Sequence, residues 1–118
     1  MKNKKKILCF DIDGVICLTK KNNYRSSKPI IRNIKFINNL YKNFKIIIFT
    51  SRFMGRNNED IVKAKKQGYK FTSRQLSKWG LKYHKLIFGK PSFDIFIDDK
   101  NLDFNKDWHK KLKIRLNK

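Results

Sequence analysis

Two aspartates, Asp11 and Asp13, stand two residues apart at the end of the apolar run ILCFDI, in a chain with only 9 Asp and Glu. Further on, Thr50 ends the apolar run KIIIFT and Ser51 follows it. Lys90 lies in GKP just after KLIF, Asp98 closes FDIFID and Asp99 follows it. Carboxylates gathered in one place repel one another and ionise poorly alone, so such a set makes sense around a divalent cation. Oxygen-only ligation by few residues suits Mg2+, which keeps several waters and shares the oxygens of a substrate phosphate. Zinc has no such argument here. Cys9 and Cys17 form no spaced quartet, and the two histidines, His84 and His109, are more often surface or packing residues.

A sheet would have to bring these residues together. Residues 6–12 read as a buried strand, apolar on both faces as central parallel strands are. SKPIIRNIKFINNLYKN reads as a helix with Pro29 in its first turn; Ile30, Ile34, Ile37 and Tyr41 recur at helical spacing, and Ile31 and Leu40 widen the stripe. Residues 45–50 form a second buried strand, and residues 52–71 read as polar and irregular. TSRQLSKWG is a short helix with a Thr or Ser cap and Gly80 as its stop. Residues 85–88 and 93–98 are two more strands, and the tail places Trp108, Leu112 and Leu116 on one helical face that packs on the body. Strands alternating with helices imply an α/β layer fold with a mainly parallel sheet, whose sites form at the carboxyl ends of the strands. Asp11, Asp13, Thr50, Asp98 and Asp99 fall at such ends, with Lys90 nearby.

Length and charge set the bounds. The 118 residues make one domain, 1–118, with a core at about 6–104 and a basic tail at 105–118. No stretch approaches the roughly 20 apolar residues of a membrane helix. The basic start MKNKKKILCF breaks at Asp11, short of a secretory core, which implies a cytoplasmic protein. Against those 9 acids stand 30 Lys and Arg, a formal charge of +21. Such a charge suggests nucleic acid or an anionic membrane surface. The lysines, however, spread along the whole chain with abundant Asn and Ile, the usage of an AT-rich genome with a solvated basic surface. Nucleic acid stays open as a partner and is not favoured.

The ordered set FDIDGV, FTS, GKP and IDDK, each after an apolar strand, resembles the four motifs of the haloacid dehalogenase-like (HAD) superfamily of phosphotransferases. More narrowly, FTSRFMGRN, the helix ending in Trp79, LIFGKP and FIDD look like the small capsule-biosynthesis phosphatases. The resemblance covers about residues 6–104. It implies a Rossmann-like core and a Mg2+-dependent phosphatase acting on a small phosphorylated metabolite for surface polysaccharide, such as a sugar, polyol or amino-alcohol phosphate. It implies Asp11 as nucleophile and Asp13 as general acid and then base. Gly14 would permit a close backbone approach. Thr50, Ser51 and nearby amides would hold the phosphoryl oxygens, and Lys90 would neutralise nucleophile and phosphate. Asp11, the Asp13 carbonyl and Asp98 would hold the metal, with Asp99 direct or through water.

Two departures from that pattern stand out. Residues 14–44 hold one helix and 51–84 only a loop and a short helix, so the expected enzyme has no cap domain. Its site is open, or roofed by residues 52–71 or by a second copy in a homo-oligomer. Only four or five residues separate LIF from FDIFID, too few for a parallel crossover. Without a cap, the segment after Thr50 is the candidate for specificity: Arg52 and Arg56 offer forks for phosphate or carboxylate. A receiver-type signalling domain fits poorly, because no acid lies between Asp13 and Glu59 where the phospho-acceptor would stand. A nucleic-acid-end phosphatase or basic nucleic-acid-binding module has the charge but no recognition motif.

Overall fold

The computed structural model describes residues 4–117. Residues 1–3, at the basic start considered above, and Lys118 in the tail lie outside them. Three parallel strands form the sheet, in the order β1 (Ile7–Phe10), β4 (Lys45–Thr50), β5 (Lys85–Phe88). Ile7 pairs with Lys45, and Ile47 with Lys85. A small antiparallel pair, β2 (Cys17–Leu18) and β3 (Lys28–Pro29), follows β1. The helices are α1 (Ile31–Leu40), α2 (Ile61–Lys78) and α3 (Trp108–Leu116). No described helix is long and apolar enough to cross a membrane.

The central strand, β4, was fully legible. Its KIIIFT run buries Ile46, Ile48 and Thr50 on alternate positions, as a two-sided pleat requires. Around it gather Ile12, Ile16, Ile34, Ile37, Leu76, Leu86 and Phe88. Trp108 anchors α3 through edge contacts with Phe10 and Phe36, and Leu112 packs behind it. The tail thus lies on the body, as its apolar face implied. Asn38 ties α1 to the end of α2 by donating to Gly80 O at 2.9 Å and accepting from Lys82 N at 2.8 Å.

Four expectations are corrected. β1 is an edge strand, with Ile7 and Cys9 exposed, rather than a central one buried on both faces. Pro29 pairs in β3 instead of opening α1. Residues 61–71 are helical: Asp60 caps α2 by accepting from Lys63 N, so TSRQLSKWG is the second half of an 18-residue helix. Its lysine-rich first half and Gly68 hid the helical pattern, because glycine disfavours a helix interior by about 1 kcal/mol. Gly80 does stop the helix, at φ 76°. Lastly, residues 93–98 form no strand. All of 91–101 is exposed, including Ile95 at 79% and Ile97 at 91%. β5 leads straight into this segment, and the few intervening residues cannot carry the chain across the sheet to a further parallel position.

Candidate active site

The carboxyl ends of β1 and β4 place five of the expected residues together. Asp11 follows β1. Its Oδ1 accepts from Ile12 N at 2.8 Å, and its Oδ2 lies 3.3 Å from Lys90 Nζ. Burial raises its pKa, opposed by Lys90 and the Ile12 N–H and reinforced by Asp13. Lys90 is fixed in turn, because its N–H donates to Thr50 O at 3.2 Å. Its ammonium also sits over the Phe93 and Phe96 rings, 5.2 and 5.5 Å from their centroids.

Asp13 is held differently. Arg52 Nε donates to its Oδ2 and Arg52 Nη2 to its Oδ1, both at 2.9 Å. Thr19 Oγ1 adds a third bond at 2.6 Å. Bidentate guanidinium–carboxylate pairs are among the stronger hydrogen-bonded arrangements, and this one fixes the carboxylate plane. Arg52 is itself 1% exposed. Its Nη1 donates to Gln75 Oε1 at 2.7 Å, its guanidinium lies 4.7 Å from the Tyr24 ring centre, and its N–H donates to Thr50 Oγ1 at 3.0 Å. Gln75 closes the bracket by donating to Tyr24 O at 2.7 Å. Gly14 turns the chain immediately afterwards at φ 92°, a conformation glycine adopts without cost.

This geometry changes the expected role of Arg52. Its fork points inward and is occupied by Asp13 and Gln75, so it braces a carboxylate rather than reaching a substrate. Thr50 is fully buried, and its hydroxyl accepts from the Arg52 backbone; Ser51 is half-buried beside it. Arg56 is exposed and donates to Asn22 O at 3.1 Å. Asp98 and Asp99 lie apart in the exposed 91–101 segment. Backbone donation from Lys100 and a side-chain bond with Asp99 lower the Asp98 pKa. No ion pair or hydrogen bond joins either residue to Asp11 or Asp13 among the described residues. Among those residues, too, no three His, Cys, Asp or Glu side chains form a metal-binding group.

Thr19, Tyr24 and Gln75 were not foreseen. Nothing in their spacing marks them. They reach Asp13 and Arg52 only because the β2–β3 pair and α2 fold over the same strand ends.

No protein-family model matches the chain, and no curated protein does. The fold is similar to a crystal structure from Vibrio cholerae described as a structural-genomics target. Identity is 22% over 94% of this chain and 98% of that one, with a TM-score of 0.78. Likeness at that identity establishes a shared fold.

Proposed function

We propose that the chain is a capless phosphomonoesterase of the HAD kind, acting on a small phosphorylated metabolite in the cytoplasm, of the sort used for surface polysaccharide. The observation that carries this reading is the disposition of Asp11. It is a part-buried carboxylate at the carboxyl end of a parallel strand, facing one lysine and two residues from a second, braced carboxylate.

The chemistry follows from those residues. An Asp11 oxygen attacks phosphorus in line, and the phosphorus–oxygen bond to the leaving alcohol breaks. Lys90 offsets negative charge on the nucleophile and on the incoming phosphate. Asp13 gives the leaving oxygen its proton, then takes one from the water that hydrolyses the aspartyl-phosphate. Proton traffic at Asp13 requires one of its hydrogen bonds to yield, and that from Thr19, a hydroxyl that can reverse donor and acceptor roles, is the easiest to turn.

A Mg2+ ion fits the donor types here. Asp11 offers a part-exposed carboxylate, and the Asp13 carbonyl accepts no backbone hydrogen bond among the described residues. Asp11, the Asp13 carbonyl and Asp98, with Asp99 direct or through water, would hold it. Asp98 would join them by drawing residues 93–98 against the sheet. Such an ion would neutralise charge on the phosphoryl oxygens.

The test is phosphate release from a panel of phosphorylated sugars, polyols and amino alcohols, with Mg2+ and with chelator. Release that stops in chelator and returns with Mg2+ is expected. Unchanged hydrolysis in chelator would argue against the metal assignment, and no release from any compound against the reaction. A basic nucleic-acid module would instead bind duplex tightly at physiological salt without needing Asp11.

A further inference from the structure

Beside the braced arginine lies a cavity of about 250 Å3 that the chemistry at Asp11 does not use. Its walls come from residues 22–25, from Phe53 and Arg56, and from Gln67 and Phe71 of α2. Ligand sites commonly run from about 300 to 1,000 Å3, so this one suits a compound near monosaccharide size.

The fold goes to some lengths to build it. All five non-glycine residues with left-handed backbone among the described residues, Lys21, Asn22, Phe53, Asn58 and Glu59, fall in the two loops that form it. For a bulky residue such as Phe53, at φ 67°, that conformation is strained, and strain of this kind concentrates at functional sites. The Phe53 ring then fills the place of a missing side chain on α2: a Cβ at Gly68 would collide with it. A mid-helix glycine is unfavourable, and here it serves to seat this ring.

The lining is cationic and flat. The Arg56 guanidinium lies 4.7 Å from the Phe53 ring centre and 5.3 Å from that of Tyr24, and the Arg25 guanidinium lies 5.4 Å from that of Phe71. Aromatic faces hold a guanidinium while leaving its in-plane N–H donors free. Among the described residues neither arginine has a carboxylate partner, and Arg56 gives one bond, to Asn22 O. The carboxamides of Asn22, Asn23 and Gln67 complete the wall, which contains no acid. Two aromatic-seated forks recognise an oxyanion, and carboxamides recognise hydroxyls.

We propose that this cavity binds a small polyhydroxylated compound through its oxyanion, a carboxylate or a phosphate, held by Arg25 and Arg56. Neither Asp11 nor Asp13 lines this cavity, so it can be read by binding whether or not the chain is a phosphatase. The experiment titrates the full chain with D-glucuronate, glycerol phosphate and D-glucose, followed by calorimetry and by amide shifts. Wild type is compared with Asp11→Asn, with the double variant Arg25→Gln/Arg56→Gln, and with Gly68→Ala. At least one anion is expected to bind wild type and Asp11→Asn alike, with shifts at Tyr24 and Phe53. It should bind the double variant about tenfold more weakly or worse, since each charged hydrogen bond is worth that much. Gly68→Ala should also weaken it, and glucose should bind weakly to all. The tighter anion identifies carboxylate or phosphate. The proposal is overturned if neither anion binds at millimolar concentration, if the arginine pair makes no difference, if glucose binds as well as the anions, or if Asp11→Asn abolishes binding. The two arginine substitutions are exposed, so their result stands even if Gly68→Ala fails to fold.

Discussion

The two ends of the expected acidic cluster live in opposite surroundings. At the ends of β1 and β4, Asp13 is clamped by Arg52 and Thr19, and Arg52 is clamped by Gln75 and stacked near Tyr24. In residues 91–101, Asp98 and Asp99 are exposed, and Asp98 bonds only with its near neighbours Asp99, Lys100 and Asn101 among the described residues. A carboxylate's position in a motif therefore does not fix its surroundings. Asp13 is immobilised by groups up to 62 residues distant in sequence, as the Asp13–Arg52–Gln75 chain shows, whereas Asp98 is held only locally.

The largest effect is expected at Asp11. Asp11→Asn keeps the shape and removes the proposed nucleophile, so phosphate release should fall to background; full activity in this variant would end the proposed mechanism. Stability should move the other way. Burial raises the Asp11 pKa in the fold above its ordinary value. Its favourable contribution is therefore complete below the unfolded value and is lost as pH rises through the folded one. At pH 7 the asparagine variant should melt at a higher temperature than wild type, with the gain shrinking toward pH 4. A lower melting temperature at pH 7 would show that the Lys90 pairing outweighs burial.

Stability should separate the two ends next. Arg52→Ala leaves Asp13 without its buried partner and should cost about 3 kcal/mol or more in urea denaturation. Asp98→Ala or Asp99→Ala should stay within about 0.5 kcal/mol, as exposed substitutions do. Arg52→Lys keeps the charge but not the fork and should fall between. Equal losses at Arg52 and Asp98 would erase the contrast.

Hydrogen exchange sharpens it further. Amides of 93–97 should exchange fast in the free protein, while those of β4 are protected. With Mg2+ and inorganic phosphate together, protection should rise across 93–97 if Asp98 completes the metal site. No change there, with binding saturated, would remove Asp98 and Asp99 from the proposed ligand set.

The smallest effect concerns the docked tail. His109 Nε2 lies 3.1 Å from Asn33 Oδ1 between the Phe36 and Trp108 rings. Burial first, then Arg32 and Lys113, lower its pKa. That contribution is present above the ordinary value of 6.5 and is lost as pH falls through the folded one. Trp108 fluorescence should therefore report a loosening of α3 as pH falls below 6.5 that His109→Gln flattens.

Much of the scaffold was legible because its signals are local. KIIIFT and KLIF carry unbroken apolar runs, and Trp108 and Leu112 keep helical spacing. The tail's docking followed from that spacing, and the meeting of Asp11, Thr50 and Lys90 from the strand ends. The bracing of Asp13 was not legible, since it depends on Gln75 and Tyr24, which arrive through tertiary packing. The first half of α2 was missed because five polar or charged residues and Gly68 outweigh the Asp60 cap as a pattern. Residues 93–98 have strand composition, yet composition states a preference for a pleated surface and supplies no partner edge.

Helix length, rather than the register of the sheet, favours one order of assembly. Ile7 meets Lys45 and Ile47 meets Lys85, and each pairing closes the same span, 45 − 7 = 38 and 85 − 47 = 38 residues. Loop-closure entropy depends on that span and so favours neither pairing. What lies inside decides. The span from β4 to β5 contains the 18-residue, Asp60-capped α2, and the span from β1 to β4 the 10-residue α1. Helix formation is cooperative with length, so the β4–α2–β5 half is the better nucleus and β1 joins late. Substitutions at Ile48 and Leu76 should then slow folding, while those at Leu8 and Phe10 should speed unfolding. Asp11 and Asp13 would meet Arg52 and Lys90 only in that final step, so the candidate site would form after the frame is already standing.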